Sequence, residues 1–203
     1  MATGNQLLTL DDIADTRAYE RERADYRERI IQLKKVRRVP VGRIITFVFE
    51  NRETIRFQIQ EMARAEKLYT DEAIQEELNT YNPLIPEPGQ LSATMFVELT
   101  SRDEMEYWLP RLVGIERAPR LIIGEGPDSV VVSAEVDPSH ASQLTRGEVT
   151  ASVHYVGFSL DQAQAARFRA EPVRLAVAHL EYKEQALLSE DTKKSLIGDL
   201  FGS

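Results

Sequence analysis

Few side chains in this sequence could do acid–base or metal chemistry. There is no cysteine, which removes thiolate nucleophiles, disulfides, thiolate-held zinc and cysteine-held iron–sulfur clusters together. The histidines are His140, His154 and His179, and no pair has ligand spacing, so a metal site would have to be assembled by tertiary contact. His140 lies in the polar loop DPSHAS and reads as solvated. His179 ends a strand-like run and reads as a strand-end residue. His154 is the informative one: it falls mid-strand, on a face shared with Thr150, Ser152, Val156 and Phe158. Its ordinary reading is a hydrogen-bonded structural histidine.

Carboxylates offer more. The stretch ENRETIRFQIQEMARAEK, residues 50–67, alternates as a strand over 54–60 but also fits a helix over 52–68. At 100° per residue, Ile55, Ile59, Met62 and Ala63 share one arc. Glu66 falls at its centre and Gln58 at its edge, with Phe57 and Leu68 opposite, near Glu61. A carboxylate on a buried face is costly unless paired. Glu66 is therefore expected to be at least half buried and paired, the alternative being a helix end from which it reaches solvent. The resulting polar constellation is Gln58, Glu61, Glu66, Glu98 and His154. Glu66, Glu98 and His154 would be its metal ligands if it held one, and such donors suit iron or manganese.

Other chemistry has no carrier. There is no P-loop and no HExxH; GEGPDS is a turn rather than a dinucleotide fingerprint, and GFSLD lacks the last glycine of a nucleophile elbow. No Glu precedes a His by three positions, so a ferritin-like di-iron motif is absent.

The elements that would position these residues alternate irregularly. Asp15 or Thr16 caps a long helix from Arg17 to about Arg38, with Tyr19, Tyr26, Ile30 and Leu33 on its apolar face. Strands are expected at 43–50, 91–99, 120–124, 129–136, 147–160 and 173–179. Helices are expected at 52–68, after Thr70, after Ser101 to about Val113 with Pro110 kinking or shortening it, at 161–170 and over 182–203. The order predicts an α+β fold: a mainly antiparallel sheet of five or six strands covered by helices, in a single domain over 1–203 with a flexible N-terminus at 1–8.

Net charge is −8, from 25 Lys+Arg and 33 Asp+Glu, but it is polarised. KKVRRVPVGR carries five cations, Lys34, Lys35, Arg37, Arg38 and Arg43, whereas residues 70–106 hold nine acids and one base. Opposite poles suit docking on a charged protein partner or self-association into a homo-oligomer. The ordinary reading of the basic run is a solvated helix end favoured by the helix dipole. Net acidity argues against nucleic-acid binding. No apolar run reaches membrane-spanning length and no secretory signal is visible, so a cytoplasmic location is expected.

The segments RRVPVG, FENRETIRFQIQEMARAE, IQEELNTYNPLIPEPGQLSATMFVEL and SLIGDL resemble the bacterial family defined by domain of unknown function 3501, over about Leu8 to Leu200. The resemblance implies a single-domain cytoplasmic protein without an established reaction. It also implies gene neighbours encoding a rubrerythrin-like di-iron protein and an iron–sulfur oxidoreductase. Two functions follow as expectations. One is an accessory, cofactor-free binding subunit of a redox or iron/peroxide-handling system. The other is a metal-binding enzyme using the carboxylate/His site.

Overall fold

The computed structural model describes residues 7–136, 145–146 and 149–202, so His140 and residues 147–148 of the expected strand lie outside the described residues. Helix α1, Thr16–Arg37, starts where Asp15 accepts the Ala18 N–H, and it buries Tyr19, Tyr26 and Ile30. It runs directly into strand β1, Arg38–Val41, and β2, Ile45–Glu50, follows after a tight turn. Asn51 caps α2, Arg52–Glu66, in a reciprocal exchange with Thr54. Thr70 caps α3, Asp71–Tyr81. Strand β3, Gln90–Val97, is followed by α4, Arg102–Trp108, opened by a Ser101/Glu104 capping box and cut short before Pro110.

Strands β4, Pro119–Ile123, and β5, Val130–Ser133, form the hairpin expected across GEGPDS. The short pair β6, Thr145–Arg146, and β7, Val149–Thr150, precedes β8, Val153–Ser159. Helix α5 spans Gln162–Ala170, then come β9, Val173–His179, β10, Tyr182–Leu187, and α6, Glu190–Phe201.

The class is α+β, as expected, but among the described residues the strands make two four-stranded antiparallel sheets, beside the small β6-β7 pair, rather than one sheet of five or six. Their orders are β1-β2-β3-β8 and β10-β9-β4-β5. The sheets also meet at both margins. At one, Glu135 and Gly157 exchange backbone hydrogen bonds of 2.8 and 2.9 Å beside β5 and β8. At the other, the Tyr182 hydroxyl on β10 donates to the Val41 carbonyl at 2.7 Å and accepts from the Ile44 N–H at 3.3 Å. The result is a flattened barrel. Its interior is one apolar cluster that includes Phe47, Phe49, Met95, Leu121, Leu175 and Phe158. Leu112 and Ile115 join that cluster from the segment after α4, while Phe168 of α5 and Leu196 and Leu200 of α6 join it from the helices that follow the strands.

Three expectations are corrected. Residues 182–187 are strand, not helix. Their helix-forming composition is overridden by a two-residue turn that pairs Tyr182 with His179 and carries the register on to Leu187 and Arg174. The 182–203 segment is helical only from Glu190, with Ser189 as its cap. Strand β1 falls where the helix was expected simply to end. Leu8, placed in the flexible N-terminus, is buried; its N–H donates to the Asn82 amide oxygen and its carbonyl accepts from the Asn82 amide nitrogen, both at 2.9 Å.

Candidate functional site

Helices α1 and α2 pack over the outward face of the first sheet. Between helices and sheet lies a buried polar cluster built around Glu50, the last residue of β2, which is 5% exposed. Its carboxylate accepts from the Thr54 hydroxyl at 2.5 Å and the Thr94 hydroxyl at 2.7 Å, tying β2 to α2 and β3. Arg37, at the end of α1, is 1% exposed. Its Nε–H donates to the Phe49 carbonyl at 2.8 Å, Nη2 to the Glu50 carbonyl at 2.9 Å and to the Asp199 carboxylate, and Nη1 to the Ser195 hydroxyl at 2.9 Å. One guanidinium thus joins α1, β2 and α6. Burial pushes the Asp199 carboxyl above the usual range although Arg37 pulls it down.

The residues singled out in the sequence are not brought together. Glu61 sits between α1 and α2, where it accepts two bonds from Arg23, both at 2.8 Å, and one from the Tyr19 hydroxyl at 2.7 Å. The Arg23 bonds hold its carboxyl below the usual range. Glu98 is exposed just past the end of β3; it pairs with Arg38 at 3.1 Å and accepts from the Thr46 hydroxyl at 2.7 Å. His154 lies on the other side of the sheet, inside the barrel, since it pairs in register with Met95. Gln58 is half-buried on α2. Among the described residues no three His, Asp or Glu side chains form a group that could hold a metal.

Glu66 is corrected outright. It is exposed, because α2 ends there and Lys67 turns the chain into the left-handed region at φ 58°. Glu66 shares a helix arc with Ile59 and Met62, but Ile59 is buried against Leu78, Leu84 and Ile85 one to two turns before the helix end, where Glu66 reaches solvent. Glu66→Ala is expected to change stability by no more than about 0.5 kcal/mol in a urea melt. A loss of about 2 kcal/mol would restore a paired role.

His154 behaves as a structural residue. Ala151 O, at 2.9 Å, can only accept, so Nε2 carries the proton, and the Thr150 hydroxyl lies 3.1 Å from the same nitrogen. Burial holds the imidazole below its ordinary pKa, against the Ala151 bond and the charge of Glu116. Glu116 is itself buried, with Oε2 lacking a hydrogen-bond partner and Oε1 3.8 Å from Arg117. As pH falls below about 6.5 the unfolded chain takes up a proton at His154 that the folded chain refuses. Stability is therefore lost on acidification, down to the lowered folded pKa. The stability advantage of wild type over His154→Gln is expected to shrink between pH 7 and pH 5 in parallel urea melts; a constant gap would contradict this.

The basic run is largely absorbed by the fold. Arg37 is buried and so is not open to a partner. Arg38 faces Glu98, and Lys34 lies over the Phe57 ring at 5.9 Å. Lys35 and Arg43 remain exposed.

Two surfaces are more open. A groove of about 340 Å³ beside β8 is lined by Pro83, Leu84, Ser92, Tyr155, Ser159 and Glu135, among others. The second is the outward face of the second sheet, whose strands leave Val131 55% and Leu187 61% exposed. No sequence signal marked it, because neither β10 nor the sheet order was readable.

The profile of the family described as Protein of unknown function (DUF3501) matches residues 7–200. The chain belongs to this family. A solved structure, a novel protein of unknown function from Burkholderia pseudomallei K96243, is 35% identical, with a TM-score of 0.87 over 96% of this chain and 100% of that one. No functionally curated protein matches the chain. The segments that carried the family resemblance meet in space. RRVPVG supplies Arg37, FENRET supplies Glu50 and Thr54, the strand before FVEL supplies Thr94, and SLIGDL supplies Ser195 and Asp199. The family signature thus encloses the buried cluster that locks helices to sheet. No helix among the described residues is long and apolar enough to cross a membrane.

Proposed function

We propose that this protein works as a binding module, an accessory subunit that docks on a partner protein, rather than as a catalyst in its own right. One observation carries this reading: Glu61, Glu98 and His154 lie in three separate places, and each is engaged by neighbouring residues that hold the fold. A general acid, base or ligand set needs convergent groups around one space, and these groups do not converge. The first partners to test are those the family resemblance implies, an iron–sulfur oxidoreductase and a rubrerythrin-like di-iron protein. Affinity purification of the full chain at low and at moderate salt should retain one of them, more strongly at low salt. Recovery of neither at either salt would overturn the assignment to a redox or iron-handling system.

A further inference from the structure

We infer that the outward face of the second sheet is the docking surface of this module and that its partner is an acidic protein; the inference rests on the binding-module reading. The face is defined by register. Leu187, Arg174, Ile122 and Val131 lie in one row across β10, β9, β4 and β5, and Gln185, Ala176, Arg120 and Ser133 lie in the next. Their in-between neighbours Leu175, Leu121 and Val132 point into the barrel core, so these rows point away from it. The first sheet buries its outward face under α1 and α2, whereas here Val131, Ser133, Lys183, Gln185 and Leu187 are exposed. An antiparallel sheet face open to water normally carries polar side chains. This one carries exposed Val131 and Leu187 on its two outer strands, with Ile122 between them.

Charge selects the occupant. The outward positions of these strands hold Arg120, Arg174 and Lys183 and no carboxylate, on a chain of net charge −8. Arg174 is met by Glu125 from the β4–β5 turn at 2.8 Å. The Arg120 guanidinium is pinned through Nη1 to the Arg117 and Pro119 carbonyls, both at 2.7 Å, and Arg117 is itself exposed at the margin. Arginines held in this way lose little freedom on meeting carboxylates. A second copy packed face to face would set Arg120 and Lys183 against the same cations, which is repulsive, Arg174 being met by Glu125. Apolar positions flanked by the held Arg120 and the exposed Lys183 therefore match a partner presenting an apolar patch within carboxylates.

The test is photo-crosslinking of the full chain in extract of its source organism, with benzoylphenylalanine placed at Val131, at Lys35 or at Tyr69. Lys35 and Tyr69 are exposed elsewhere. The expected result is a crosslink from position 131 to a net-acidic protein, identified by mass spectrometry. It should fall at least tenfold in the double variant Ser133→Glu/Lys183→Glu, which sets a carboxylate across from Arg120, while the melting curve stays unchanged. A crosslink from 131 to a second copy or to nucleic acid, or one insensitive to the charge change, overturns the inference. Crosslinks from 35 or 69 but none from 131 also overturn it and leave the binding-module reading standing. Silence from all three positions overturns the inference, and the affinity purification then decides the binding-module reading.

Discussion

Arg37→Ala is expected to cost about 3–5 kcal/mol of folding stability, more than any other single change outside the apolar core. The side chain is fully enclosed and supplies donors to two β2 carbonyls, the Ser195 hydroxyl and the Asp199 carboxylate. Removing it takes a donor from each of those acceptors in a buried site and removes the cation beside the buried Asp199 carboxylate. Asp199→Asn should cost far less. The Asp199 carboxyl is pushed up by burial, so the folded state holds its proton more readily than the unfolded chain. That contribution is fully present below the unfolded pKa of about 3.9 and lost as pH rises through the folded value. At neutral pH the charged carboxylate is the strained partner, and an amide avoids its desolvation. Urea melts of both variants at pH 7 decide the point. If Arg37→Ala and Asp199→Asn cost the same, the guanidinium's bonds to β2 contribute nothing.

Glu50→Ala is expected to cost about 3 kcal/mol, from two hydrogen bonds to a charged acceptor at about 1.5 kcal/mol or more each. The Thr54 hydroxyl can fall back on the Asn51 carbonyl, 3.0 Å away, whereas the Thr94 hydroxyl loses the carboxylate that ties β3 to β2, so most of the loss falls between those strands. Glu50→Gln should cost about 1 kcal/mol, because one amide oxygen still accepts and a hydroxyl can rotate to accept from the amide nitrogen. The ranking Ala, then Gln, then wild type, read from denaturant midpoints, checks the assignment. A stabilised Glu50→Ala would mean that burying the carboxylate costs more than its two bonds return.

The helix starts at Asp15, Thr70 and Ser101 were legible because capping is local: a side-chain oxygen reaches a backbone N–H three residues on. The α2 period was legible for the same reason; strands were found near 43–50, 91–99, 120–124, 129–136 and 173–179, while the single strand expected over 147–160 is β7 and β8 separately. The site was not legible. A carboxylate under the sheet was anticipated, yet the buried one is Glu50 rather than Glu66. Glu50 follows an apolar strand, ITFVF, with nothing local to mark whether its side chain faces helices or water. Gln60 was missed similarly: it is buried and exchanges two bonds of 2.9 Å with the Ala14 backbone, a contact 46 residues away in sequence.

By itself the sequence determined most of the helices and the longer strands, the α+β class and the family, but not β1, β6 or β10; what it determined depends on residues within a turn or two, or on whole segments shared with the family. Only the tertiary structure decided that the strands divide into two sheets closed at both margins. It also decided that Arg37 leaves the basic run to become a buried clamp and that one sheet face stays uncovered. Those outcomes depend on which strand lies beside which. Register flips every side chain between core and surface with a one-residue slip, and pairing partners more than a hundred residues apart, such as Val41 with Tyr182 or Arg37 with Asp199, leave no local trace.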